Sequence, residues 1–334
     1  MRQQVKYKNM KLIPFDKYME ICLYDEKIGY YIKNEKIFGK EGDFYTPQTA
    51  SSLFGKLIGE FLKKEKFKNV YEFGGGEGFL SFDILSFNKE IENYFFIEIS
   101  EKLKERAFEK NKEFKNKIHF LKSIDEIEEI DGFSIMVEFV DSFPCKRFYK
   151  DKNFYEVWVD IEEKKEILKE VNNYDFLDYY EFLPDGYYFE YPLSFFEWFE
   201  KFLKKFKKGK ILIIDYGIFK ENLIFYPEGT IRGFKKHKIV KNIYDYEIGE
   251  IDITFTPDFS LLRKFFINRN LKIEKLTSLS NFLISEGIDK IFEREISISR
   301  DIYFKIKKLG EIKTLILPEI MGEKYFVLIL KNEF

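Results

Sequence analysis

The chain has 334 residues and a mass of 40.5 kDa, enough for one large domain or two modest ones with a buried core. Charged residues make up 34% and hydrophobic residues 45%, which excludes a disordered tail and a membrane bundle. Lys and Arg number 56 against 58 Asp and Glu, and this near-neutral balance argues against an obligate nucleic-acid binder.

Two cysteines (Cys22, Cys145) and two histidines (His119, His237) are too few for a disulfide framework or a metal centre, so no metal is expected. The opening MRQQVKYKNMKLIPF lacks the apolar run of a signal peptide. No stretch reaches the roughly 18 apolar residues of a membrane span. The expectation is a cytoplasmic protein.

In chain order, 12–30 carries an amphipathic helical pattern behind Pro14 and ends in a turn at 25–29. Residues 38–50 read as a polar loop. Residues 51–65 read as a helix with Ser51 or Ser52 as cap. An alternation follows: strand 69–73, helix 77–87, strand 94–99, helix 101–111, strand 117–121 and strand 132–139. A helix at 194–207 leads to a strand at 210–216, and 324–331 reads as a last strand, antiparallel to the others. This rhythm predicts an α/β fold with a largely parallel sheet. Segment 145–190 interrupts it with strand–turn–strand patterning, read as an inserted β-hairpin or small sheet. Segment 218–258 is read as a second insertion. The expected division is 1–65, helical with a lid loop, and 66–334, the core with both insertions.

Residues 70–78, VYEFGGGEG, run from a strand into a helix. Gly74, Gly76 and Gly78 follow the acid Glu72. Glycine permits close approach of a ligand to the backbone, and the amides of a helix start are then available to ligand oxygens. A dinucleotide fingerprint would need a small residue where Phe79 stands. The E-x-G-x-G-x-G form is similar to that of S-adenosylmethionine (SAM) methyltransferases, in which Glu72 would face the amino group of the cofactor. Glu98 follows Gly78 by 20 residues and ends a strand, the place of an acid that accepts both ribose hydroxyls. A NAD-dependent oxidoreductase stays open as an alternative at this point.

After the fourth strand come Glu138 and Asp141, beyond the carboxyl end where such sheets bind ligands. They suit a cationic acceptor such as a guanidinium. Capping and solvation explain them equally well. Asp215, at the end of ILIID, either shapes the same edge or caps the next turn. Asp252 is a weaker candidate for the pocket mouth. His119 reads as structural, and His237 sits in a basic run.

Taken together, these segments resemble the MidA-type SAM-dependent methyltransferases, whose mitochondrial members are complex I assembly factors acting as protein arginine methyltransferases. The matching stretches are 15–31 (FDKYMEICLYDEKIGYY), 38–55 (FGKEGDFYTPQTASSLFG), the glycine loop, 138–148 (EFVDSFPCKRF) and 214–217 (IDYG). They continue through 227–237 (PEGTIRGFKKH), 249–254 (GEIDIT), 258–259, 281–287 (NFLISEG) and 321–322. This chain departs from the family at Val137, Gln48, Gly75, Glu77 and Ser278. The resemblance implies a Rossmann-like class I methyltransferase core and SAM as cofactor. It implies that Asp43 and Thr46 are lid contacts and that Glu138 and Asp141 are catalytic. It also implies a protein acceptor, a complex I subunit by analogy, with an arginine as target. A non-catalytic SAM-binding assembly factor is the other alternative. The oligomeric state is not legible.

Overall fold

The computed structural model describes residues 11–33, 46–235 and 238–332. Asp43 and His237 lie outside the described residues. Two compact units result: one holds 46–140, 200–217 and 259–332, the other 11–33, 141–199 and 218–258.

The first unit is built on a seven-stranded sheet: β1 (Asn69–Phe73), β2 (Asn93–Ile97), β3 (Ile118–Leu121), β4 (Ile130–Val137), β5 (Phe206–Tyr216), β6 (Leu271–Ser278) and β7 (Tyr325–Asn332). The spatial order is β6-β7-β5-β4-β1-β2-β3. The pairs from β5 to β3 are parallel, and β7 runs antiparallel to both β5 and β6. The predicted alternation therefore appears strand for strand, with ends shifted by a few residues. β4 is buried along its length except at Asp131, as expected of a parallel strand covered on both faces. Strand order reverses between β1 and β4. In open parallel sheets, the loops leaving such a pair form the ligand crevice.

Helices α1 (Ser52–Lys64), α2 (Phe79–Phe87), α3 (Glu101–Lys110), α4 (Phe259–Ile267), α5 (Leu279–Glu286), α6 (Ile288–Ile298) and α7 (Ile302–Ile316) belong to this unit. Ser51 caps α1 as expected, its hydroxyl accepting from the Leu53 amide at 3.1 Å. A side chain at Gly55 would collide with Asp83, so glycine lets α1 approach α2. The core runs from Leu53, Leu57 and Ile58 of α1 through Val70, Tyr94 and Ile135 of the sheet to Phe282 and Leu315. Helices α4 to α7 and strand β6 have no counterpart among the predicted elements. In α5 and α7 apolar residues lie on more than one face, so no single stripe marks them.

The second unit contains an antiparallel five-stranded sheet. Asn153–Asp160 pairs with Leu12–Pro14, Lys146–Asp151 and Lys165–Val171, and Lys146–Asp151 also pairs with Tyr187–Tyr191. The small sheet expected in 145–190 is thus present, enlarged by an N-terminal strand. Segment 218–258 forms a three-stranded sheet of Arg232–Lys235, Lys238–Val240 and Asp252–Thr254. Aromatic rings fill the core of this unit: Phe189 stacks on Tyr180 at 4.0 Å and on Phe148 at 5.3 Å.

A buried ion pair holds the strands to the 228–230 loop. Arg147 donates to Glu190 Oε1 at 2.6 Å, and the amide and hydroxyl of Thr230 donate to Oε2 at 2.7 and 2.8 Å. Arg147 also donates to the Glu228 carbonyl at 3.0 Å. Arg147 also lies 3.3 Å from Glu166, so Glu190→Ala leaves it a partner and removes the charged hydrogen bonds to Glu190. Glu190→Ala should therefore lower stability by about 1.5–3 kcal/mol. Urea unfolding followed by tryptophan fluorescence checks this, because both tryptophans, Trp158 and Trp198, lie in this unit.

Candidate functional site

The glycine loop leaves β1 with left-handed backbone at Gly74, Gly76 and Gly78 (φ +73°, +58° and +72°). The amides of the loop ahead of the helix start are held within the fold. Gly74 and Gly75 donate to the Ile97 carbonyl at 2.9 and 3.4 Å, and Gly76 donates to Glu98 Oε2 at 2.9 Å. The strand next door thus shapes the loop. Packing adds a second constraint. A Cβ at Gly74 would lie 2.8 Å from the Phe139 ring, one at Gly78 would lie 2.6 Å from the Asn111 amide, and one at Gly75 would collide with Phe96. At these three positions the protein's own side chains require glycine.

Glu98 is 6% exposed. Its other oxygen accepts from the Ser100 amide at 2.9 Å. Burial pushes the carboxyl up to about 7, against the pull of the backbone amides. A carboxylate has about four acceptor sites, so acceptor capacity remains beside the loop. Glu72 is deeper, and its partner is the Tyr94 hydroxyl at 2.9 Å. Burial pushes it up to about 8; the Tyr94 bond opposes this and the charge of Glu98 adds to it.

Across the strand-order reversal, β4 is followed by Glu138, a non-glycine residue in the left-handed region (φ +51°). Its amide donates to the Ile214 carbonyl at 2.8 Å. Asp215, fully buried, accepts from the Val140 amide at 2.9 Å, so it anchors the turn that presents Glu138. The Tyr325 hydroxyl donates to Glu138 Oε1. Tyr216 lies against Tyr325 with ring centroids 4.0 Å apart. Phe139 lies over Gly74, so this turn and the glycine loop adjoin.

Sequence reasoning missed Tyr325 and Tyr216. The antiparallel last strand was the available signal: its first residue must return to the edge where the parallel strands end, and Tyr325 pairs there with Tyr216.

Thr46 is buried, and its hydroxyl caps the short helix Pro47–Ala50, accepting from the Thr49 amide at 3.4 Å. Asp141 lies in the second unit. There it accepts from the Thr254 hydroxyl at 3.1 Å, and burial pushes it up to about 7. Asp252 is buried in the same unit. Its charge and that of Asp141 both act on Tyr31, whose hydroxyl burial already pushes up. His119 stacks on Phe95 at 5.1 Å, a structural role as expected.

Glu72 and Glu98 bind protons more tightly folded than unfolded. Their contribution is full below the ordinary carboxylate range and is lost as pH rises towards 7 and 8. Glu72→Gln should remove part of this loss. The variant should gain stability relative to the wild type as pH rises from about 5 to 8. Denaturation midpoints across that range check it; parallel curves for the two proteins would contradict it.

Comparison with known proteins agrees with this geometry. A family model of S-adenosyl-L-methionine-dependent methyltransferases matches residues 56–277. The chain is 27% identical to the mitochondrial protein arginine methyltransferase NDUFAF7 of Danio rerio, over 92% of this chain and 81% of the relative. It is 25% identical to the human protein of that name, over 96% of this chain and 80% of the relative. A Burkholderia thailandensis crystal structure bound to S-adenosyl-homocysteine shares the fold, with a TM-score of 0.85 and 21% identity over 96% of this chain and 88% of that one. The chain belongs to the MidA-type family of SAM-dependent methyltransferases.

Proposed function

We propose that this methyltransferase modifies an arginine of a protein acceptor, on a Rossmann-like class I core. The strand order with its antiparallel β7 supports that reading of the core. The names of the relatives support the acceptor class. The observation that carries the proposal is Glu138, held in a left-handed turn beside the glycine loop.

The residues present fit the cofactor. Glu98 is a buried acid with acceptor capacity left for a cis-diol. Gly74, Gly76 and Gly78 give the loop its left-handed course. Glu72 would meet the amino group and become ionised on doing so. Asp43 and Thr46 are assigned to the lid from the resemblance. Bound SAM supplies an electrophilic methyl carbon.

The protein's work is then to position the acceptor nitrogen and manage its charge. A guanidinium is a poor nucleophile while its lone pair is delocalised. Glu138 orients one N–H and takes up the proton released as the nitrogen is alkylated. Tyr325 fixes the plane of that carboxylate through Oε1. Asp141 is assigned as a second acid for the acceptor, from its place three residues on. The acceptor we expect is a subunit of respiratory complex I. Incubation with labelled SAM, followed by peptide mass spectrometry of that subunit, tests it. Label on lysine, or SAM binding with no turnover, would overturn the arginine assignment.

Three variants separate cofactor binding from transfer. Hydrogen bonds to a charged group are worth roughly 1.5–3 kcal/mol. Glu98→Ala should thus weaken SAM about ten- to a hundredfold in calorimetric titration. Gly76→Val, a branched residue forced into left-handed backbone, should abolish the SAM-induced rise in melting temperature. Glu138→Gln should bind SAM as the wild type does and lose transfer, which a filter assay with labelled SAM reads directly.

A further inference from the structure

Helix α7 has apolar residues on two faces. One face, with Ile312 and Leu315, is buried in the core. On the other, Tyr303 is 79% and Ile306 59% exposed, and Ile302 and Leu309 are exposed beside them. At about 100° per residue, Ile302, Tyr303, Ile306, Leu309, Gly310, Lys313 and Leu317 fall within an arc of about 120°. Ile298, at the end of α6, and Ile320, after α7, are exposed as well. The five apolar residues of this arc leave on the order of 500 Å² open, at the upper end for a patch on a monomer. Gly310 sits mid-helix on this face, and nothing in the structure lies within 4 Å of where its Cβ would be.

Charge decides what covers the face. Lys305 and Lys307 flank it on either side, and Lys313 lies within it. Among the described residues, none of the three forms an ion pair with a carboxylate. A two-fold axis through Ile306 and perpendicular to α7 would set Lys305 against Lys305 and Lys307 against Lys307 of the other copy, so such pairing brings like charges together. An anionic surface meets all three favourably, and long lysine side chains can reach it while the apolar face is buried. No described helix is long and apolar enough to cross a membrane, so a bilayer would be met from its surface.

We infer that the outer face of α7 docks on an anionic lipid bilayer, lying in the headgroup region with Ile302, Tyr303, Ile306, Leu309 and Leu317 inward and the lysines on the phosphates. This places the enzyme at a membrane surface, whatever its acceptor.

The test is sedimentation of the full chain with phosphatidylcholine vesicles, with and without about a third phosphatidylglycerol. Binding should appear with the anionic vesicles, be at least about tenfold weaker with neutral ones, and weaken as salt rises. Ile306→Asp and the triple variant Lys305→Glu, Lys307→Glu, Lys313→Glu should each reduce it about tenfold or more. Ile306 points away from the core, so its variant should keep the wild-type melting temperature and SAM affinity. Absence of vesicle binding, equal binding to both vesicle types, or undiminished binding by Ile306→Asp would each overturn the inference. A dimer in light scattering that Ile306→Asp dissolves would assign the face to a second copy and overturn it as well.

Discussion

The buried carboxylate of Glu98 is the pivot of this molecule's chemistry. It ends β2, takes the Gly76 amide on one oxygen and the Ser100 amide on the other, and so ties the glycine loop to the start of α3. Two neighbouring loop amides go to the Ile97 carbonyl, one residue earlier. The loop after β1 therefore takes its course from the end of β2. The same desolvation that lifts Glu98 also lifts Glu72 behind it. An acid kept partly protonated at neutral pH costs less to bury than a bare carboxylate. It can ionise when a ligand brings donors or a positive charge. Stability without ligand and affinity for ligand thus pull on the same two groups in opposite directions.

The parallel part of the sheet was legible because its strands are short apolar runs separated by helical spacing, a pattern local in sequence. Leu12–Pro14 was not, since three residues carry no period and only pairing with Asn153–Asp160 makes them a strand. Helix α7 escaped for the opposite reason: it has too many apolar positions to show one stripe, and the structure leaves part of them outside the core. The glycines were recognised, and the packing that also requires them was not. A sequence shows that side chains are absent at 74, 75 and 78. It does not show that Phe139, Phe96 and Asn111 occupy the space.

The site was legible where function rests on residues close in the chain. Glu72, the glycines and Glu98 all lie within one strand–helix–strand unit. The parts that hold Glu138 come from far away: Asp215 lies 75 residues from Val140, whose amide it accepts, and Tyr325 lies 187 residues from Glu138. Only the register of β5 with β7 brings them to one edge. Asp215 was left open between shaping the edge and capping a turn. In the structure it accepts from Val140 in the turn that carries Glu138, which is the edge and not the turn that follows its own strand.

The backbone at Glu138 gives independent support for its importance. A left-handed conformation costs a non-glycine residue on the order of 1 kcal/mol or more. Glycine would adopt it without strain, and asparagine with little. Neither would retain a carboxylate for the Tyr325 hydroxyl. The fold compensates by fixing the amide of Glu138 on Ile214 and the next turn on Asp215. Strain that is held by several bonds, at the strand-order reversal and beside the ligand loop, marks a position where a carboxylate is worth keeping against the preference of the backbone. Val137, which precedes it, differs from the family's usual residue, yet it is buried and its backbone continues β4 without interruption.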